Sequence, residues 1–168
     1  MKLPFAALIL IAALLPVAAL ADEGKSLTTV LAAPNWLQGR PSAASLHGKV
    51  VIVDVFTFDC INCKHVVPEL RKLHAAYAGR DLQIIGVHAP ETPYERDRAH
   101  IMSALVAQGI TWPIALDPDF TIWHAFSNEY WPTQYIFDRR GTLRAAVVGE
   151  GDDARVARTV KSLVAEAG

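Results

Sequence analysis

Two rhythms of apolar residues run along this chain. Lys49 to Phe56, "KVVIVDVF", is apolar almost throughout and rich in β-branched side chains, the pattern of a strand buried on both faces. From about Asn62 to Ala78 the spacing changes: Val66, Val67, Leu70, Leu73, His74 and Tyr77 recur at three- and four-residue intervals and predict a helix stopped by Gly79. "LQIIGVH" (82–88) predicts a second buried strand, and Tyr94–Gln108 a second helix closed by Gly109. "WPIALDPD" predicts a short strand and a turn at 117–119, and Phe120–Phe126 a short helix. "TQYIFD" and "TLRAAVVG" flank "RRG" as an antiparallel hairpin with Gly141 in its turn. A last helix is expected over Asp153–Glu166, with Asp152 as N-cap. Residues 22–48, with two prolines and two glycines in "APNWLQGRPSAASLHGK", read as an irregular leading segment with one short strand. A strand–helix–strand opening calls for parallel strands, and the hairpin adds antiparallel ones to the same sheet.

The chain has 168 residues, enough for one domain with a sizeable core. Its first residues, "MKLPFAALILIAALLPVAALADE", carry Lys2, an apolar stretch from Leu3 to Leu15 and an Ala19-Leu20-Ala21 site. This is the layout of a signal peptide cleaved after Ala21, leaving residues 22–168 as an exported domain; an uncleaved membrane anchor is the alternative. Without Lys2 the balance is 15 basic to 17 acidic residues, a net charge near −2. No basic surplus points to nucleic acid.

Both cysteines, Cys60 and Cys63, lie where the first strand hands over to the first helix. A disulfide between them would close a minimal loop and remove little entropy from the unfolded chain, so the pair is read as chemistry rather than as a staple. A thiolate at Cys60 meets the free N–H groups and the positive end of the helix dipole. One helical turn separates the two Cα atoms by roughly 5 Å, within disulfide range. Cys60 can therefore attack a substrate disulfide, and Cys63 can displace the mixed disulfide that forms. Structural zinc lacks its further ligands: the histidines at 47, 65, 74, 88, 100 and 124 are scattered, and His65 points away from Cys63 on a helix. A Cu(I) ion held by the two thiolates stays open.

Three further spacings match a known family. Asp54 stands six residues before Cys60, Pro68 five after Cys63, and Trp131-Pro132 directly before the hairpin. Together with Cys-x-x-Cys they resemble the thioredoxin fold. More narrowly, "CINC", "GVHAPE", "YWPTQYIFD" and "GEGD" look like the periplasmic redox domain of DipZ-type proteins in the TlpA-like group, over roughly residues 34–167. The resemblance implies a thioredoxin-like α/β fold: a central mixed sheet flanked by helices, with an N-terminal extension and an inserted helix region. It implies that Asp54 moves the Cys63 proton, that Pro132 is cis, that Trp131 offers backbone to an extended substrate, and that Glu91 is a second acid by the site. Phe56 stands where thioredoxin has a tryptophan, and Gly86 where it has the lysine that partners the buried acid.

The function expected is thus an exported thiol–disulfide oxidoreductase, a reductase rather than an oxidase. It would work as a monomer on protein thiols and disulfides, without organic cofactor or metal, recharged by a separate membrane-bound donor. A peroxidase is the first alternative, since Thr57-Phe58-Asp59-Cys60 matches the Thr-x-x-Cys of peroxiredoxins, although Val53 replaces their proline. A periplasmic Cu(I)-binding protein or metallochaperone is the second.

Overall fold

The structure is a computed structural model, described here for residues 25–166; the expected signal peptide and its cleavage point lie outside that range. Six strands form one sheet: β1 (Trp36–Leu37), β2 (Val50–Phe56), β3 (Leu82–His88), β4 (Ile114–Leu116), β5 (Thr133–Phe137) and β6 (Leu143–Val148), in the order β1-β4-β3-β2-β5-β6. The neighbours β2, β3 and β4 run parallel, whereas β1, β5 and β6 each pair antiparallel. The mixed sheet read from the pattern is the one present.

All seven residues of β2 are buried, and their alternation sorts them into two cores. Val50, Ile52 and Phe56 meet Val66, Val67 and Leu70 of α3 (Ile61–Tyr77), Ile101 and Leu105 of α4 (Arg98–Gln108), and Val156 and Val160 of α6 (Asp153–Ala165). Val51, Val53 and Val55 face the other side, toward α1 (Leu27–Leu31), α2 (Ala43–Leu46) and α5 (Thr121–Ala125). Asp54 belongs to the first series and so points into the layer beneath α3.

Three details differ from the sequence reading. The leading segment holds two short helices besides its strand: Ser26 caps α1, accepting from the Thr29 amide, and Ser42 with Ser45 forms a capping box on α2. Helices of five and four residues are too short to show a period. The helix expected from Tyr94 begins only at Arg98. Pro93–Arg96 is a separate 3₁₀ turn, and Asp97 breaks the path with ψ 121° while its carboxylate accepts from the Ala99 and His100 amides. Asp152 stands at the N-cap position of α6 but makes no side-chain cap.

Candidate active site

Cys60 is the N-cap of α3, in extended conformation, and the Cys63 amide donates to its Sγ at 3.3 Å. Here one of the free N–H groups of the helix start meets the sulfur directly. Cys60 is half-buried, Cys63 is 2 % exposed, and both are thiols. Burial pushes the Cys63 thiol up; its hydrogen bond with Cys60 and the charge of Asp54 add to the shift, and the Thr57 backbone opposes it. The two sulfurs are therefore unequal, one presented and one withheld.

Behind them lies Asp54, wholly enclosed. Burial raises its pKa to about 6, against a hydrogen bond from Gln134 Nε2 to Oδ1 at 2.9 Å that lowers it. Across the sheet from Asp54 stands Gly86, where a lysine partner would sit in thioredoxin. A side chain there would displace its neighbours: a Cβ at Gly86 would stand 2.5 Å from Ile114 Cδ1 and 2.8 Å from Phe56 Cε1. The polar partner comes instead from β5, on the opposite flank of β2.

The β2–β5 register pairs Val55 with Thr133, which brings Trp131 and Pro132 to the sheet end where Cys60 lies. The Trp131–Pro132 peptide bond is cis. Trp131 donates from Nε1 to the Ala89 carbonyl at 3.0 Å, and its ring lies 4.3 Å from that of Trp123. Asp117 anchors this wall by accepting from the Ile122 and Trp123 amides. Ile61, next to Cys60, and Tyr130 remain exposed.

Glu91 is exposed, and it gives the site its backbone N–H, which donates to Glu95 Oε2 at 2.8 Å. The acid that the 3₁₀ turn carries inward is Glu95, 1 % exposed and missed in the sequence reading. Thr57 Oγ1 and the Asp59 amide donate to its Oε1, and Thr92 donates to Oε2 from both amide and hydroxyl. Burial would raise its pKa, but these bonds outweigh it and hold the carboxyl below the usual range. His88 completes the group, with Nε2 3.4 Å from Thr57 Oγ1. Burial pushes its pKa down to about 4, against the pull of Glu95. Because the single Thr57 hydroxyl hydrogen goes to Glu95, His88 Nε2 must be the donor to Thr57. Thr92-x-x-Glu95 is a capping-box pattern that the sequence displays, but its burial is not a local property.

Residues 25–146 match the AhpC/TSA family. The chain belongs to that family. Among relatives, protein DipZ of Mycobacterium tuberculosis is 37% identical over 123 residues, 73% of this chain. The match spans only 18% of DipZ, so the chain corresponds to about a fifth of that relative's length. The thiol-disulfide oxidoreductase YkuV of Bacillus subtilis is 30% identical over 132 residues, covering 78% of this chain and 88% of YkuV. A solved thiol-disulfide isomerase from Corynebacterium glutamicum superposes with TM-score 0.72 at 28% identity, covering 79% of this chain and 92% of that one. The fold is thioredoxin-like, as the superposition on that isomerase shows.

Proposed function

We propose that this protein is a thiol–disulfide oxidoreductase that reduces protein disulfides through Cys60 and Cys63. The observation that carries the reading is the asymmetry of the pair: a half-exposed Cys60 capping α3 and a buried Cys63 one turn on, with its amide on the Cys60 sulfur. The names of YkuV and the Corynebacterium isomerase support the same chemistry.

In the first step the Cys60 thiolate attacks a substrate disulfide. A Cys60–substrate S–S bond forms, and one substrate sulfur leaves with the electron pair of the broken bond. Cys63 then attacks Cys60, forming the Cys60–Cys63 disulfide and expelling the second substrate thiolate. Two electrons and two protons pass to the substrate, and no organic cofactor or metal takes part. Cys63 must lose its proton in a place that disfavours its anion. Asp54, near Cys63 and with a pKa of about 6, is suited to accept that proton at neutral pH. Glu91, exposed on the loop after β3, is proposed as the acid that exchanges it with solvent. Trp131 and Pro132 form the proposed docking edge for an extended substrate segment, beside exposed Ile61 and Tyr130.

The wider proposal is a monomer of residues 22–168, exported after cleavage behind Ala21 and recharged by a membrane-bound donor. The N-terminal pattern supports the export, and the resemblance to the redox domain of DipZ-type proteins supports the donor.

Insulin reduction tests the chemistry. The full chain should reduce insulin disulfides in the presence of dithiothreitol. Cys60→Ser should abolish this, and Cys63→Ser should accumulate a mixed disulfide with substrate. Wild-type activity no higher than that of Cys60→Ser would overturn the reading. The peroxidase alternative rests on Thr57-x-x-Cys60 and on the family, yet the Thr57 hydroxyl hydrogen is already used on Glu95. It predicts thiol oxidation by peroxide far faster than that of free cysteine. The Cu(I) alternative predicts tight copper binding with no insulin reduction.

A further inference from the structure

The loop that delivers Cys60 to the start of α3 is held from several directions. Gln108 Nε2 donates to the Phe58 carbonyl at 3.1 Å, and the Phe58 ring stacks on His88 with centroids 5.7 Å apart. Lys64 pairs with the Asp59 carboxylate at the surface. Two further ties, from the Thr57 hydroxyl and the Asp59 amide, converge on one oxygen, Oε1 of Glu95.

Half of what Glu95 does is local. Its Oε2 closes the capping box on the 3₁₀ turn through Thr92 and accepts the Glu91 amide. A capping box needs neither burial nor the second oxygen. Yet Glu95 is almost fully buried, and Oε1 reaches residues 38 and 36 positions earlier in the chain. Burying a carboxylate is unfavourable unless it is well hydrogen-bonded, and the long-range half of its bonds goes to the two residues flanking Phe58 immediately before Cys60. The same Thr57 contributes its backbone to the surroundings of the Cys63 sulfur. His88, beneath it, supplies the hydrogen that the Thr57 oxygen still lacks.

We infer that Glu95 is a positioning residue for the cysteine pair: through Thr57 and Asp59 it fixes the loop in the conformation in which Cys60 caps α3 and receives the Cys63 amide. It touches no reacting sulfur and acts through Thr57. The inference takes its meaning from the oxidoreductase reading, but its test does not need catalytic activity.

Thr57→Val removes the hydroxyl and leaves the capping box whole, whereas Thr57→Ser retains the hydroxyl. Three quantities are compared for the full chain: the rate of Cys60 alkylation by iodoacetamide at pH 7, the Cys60–Cys63 equilibrium with glutathione, and circular dichroism as the record of folding. Thr57→Val should fold, alkylate about threefold or more slower, and shift the glutathione equilibrium by about threefold or more, while Thr57→Ser stays close to wild type. A folded Thr57→Val with both quantities unchanged would reduce Glu95 to a structural clip and overturn the inference. Should Thr57→Val not fold, Glu95→Gln serves instead, since an amide cannot accept from both groups of donors; unchanged values there overturn the inference equally, and a shift of about threefold or more supports it. A wild-type chain that reduces no insulin while Thr57→Val still alters alkylation would sink the oxidoreductase reading and leave the positioning role standing.

Discussion

Gln134 donates to Asp54 at 2.9 Å as its direct cross-strand partner in the β2–β5 ladder, and both side chains are buried. This contact decides how the buried acid is held. A neutral amide donor steadies the carboxylate without supplying a countercharge, so burial dominates and the pKa stays high.

From this follows a pH dependence. The folded pKa of Asp54, about 6, exceeds the ordinary 3.8, so between these values the native state holds a proton that the unfolded chain has lost. Its stabilising contribution is full below pH 4 and is lost as pH rises through 6. Asp54→Asn should therefore be more stable than wild type at pH 7, by roughly 2–3 kcal/mol, and similar to it at pH 4. Urea unfolding of the two proteins between pH 4 and 7 measures this, and parallel curves would contradict it.

His88 works in the opposite sense. Its folded pKa of about 4 lies below the ordinary 6.5, so its contribution is full above pH 6.5 and is lost as pH falls toward 4. Relative to His88→Phe, wild type should lose about 3 kcal/mol of stability between pH 7 and 4. The same unfolding series reads this, and a difference independent of pH would exclude a buried neutral imidazole.

The two thiols should react unequally. Cys60 is half-buried, while Cys63 is enclosed and its thiol is pushed up. At pH 7, iodoacetamide should modify Cys60 at least about tenfold faster than Cys63, as read by mass spectrometry of the digested protein. Equal rates would mean that Cys63 is not shielded as the structure has it.

Gly86 offers a purely steric prediction. Phe56 and Ile114, which a Cβ there would meet, are themselves in the core. Gly86→Ala should cost about 1–3 kcal/mol in a denaturant melt, because a close-packed core absorbs an extra carbon only by shifting its neighbours. A neutral result would show that these two side chains repack freely.

Much of this molecule was determined locally. The run from Val50 to Phe56 announces a doubly buried strand because burial on both faces demands apolar residues at every position. Cys60 and Cys63 were legible as a pair because a helix start and a three-residue step are properties of adjacent sequence. What depends on register or on burial between distant segments was not legible. Nothing in "TQYIF" says that Gln134, rather than a group at Gly86, will face Asp54; the antiparallel pairing of β5 with β2 decides it, together with the absence of space at Gly86. Nor do Glu91 and Glu95, four residues apart, announce which one turns inward. The 3₁₀ turn over Pro93–Arg96 leaves Glu91 in solvent and drives Glu95 into donors from Thr57 and Asp59, a choice made by hydrogen bonds that exist only once the chain has closed on itself.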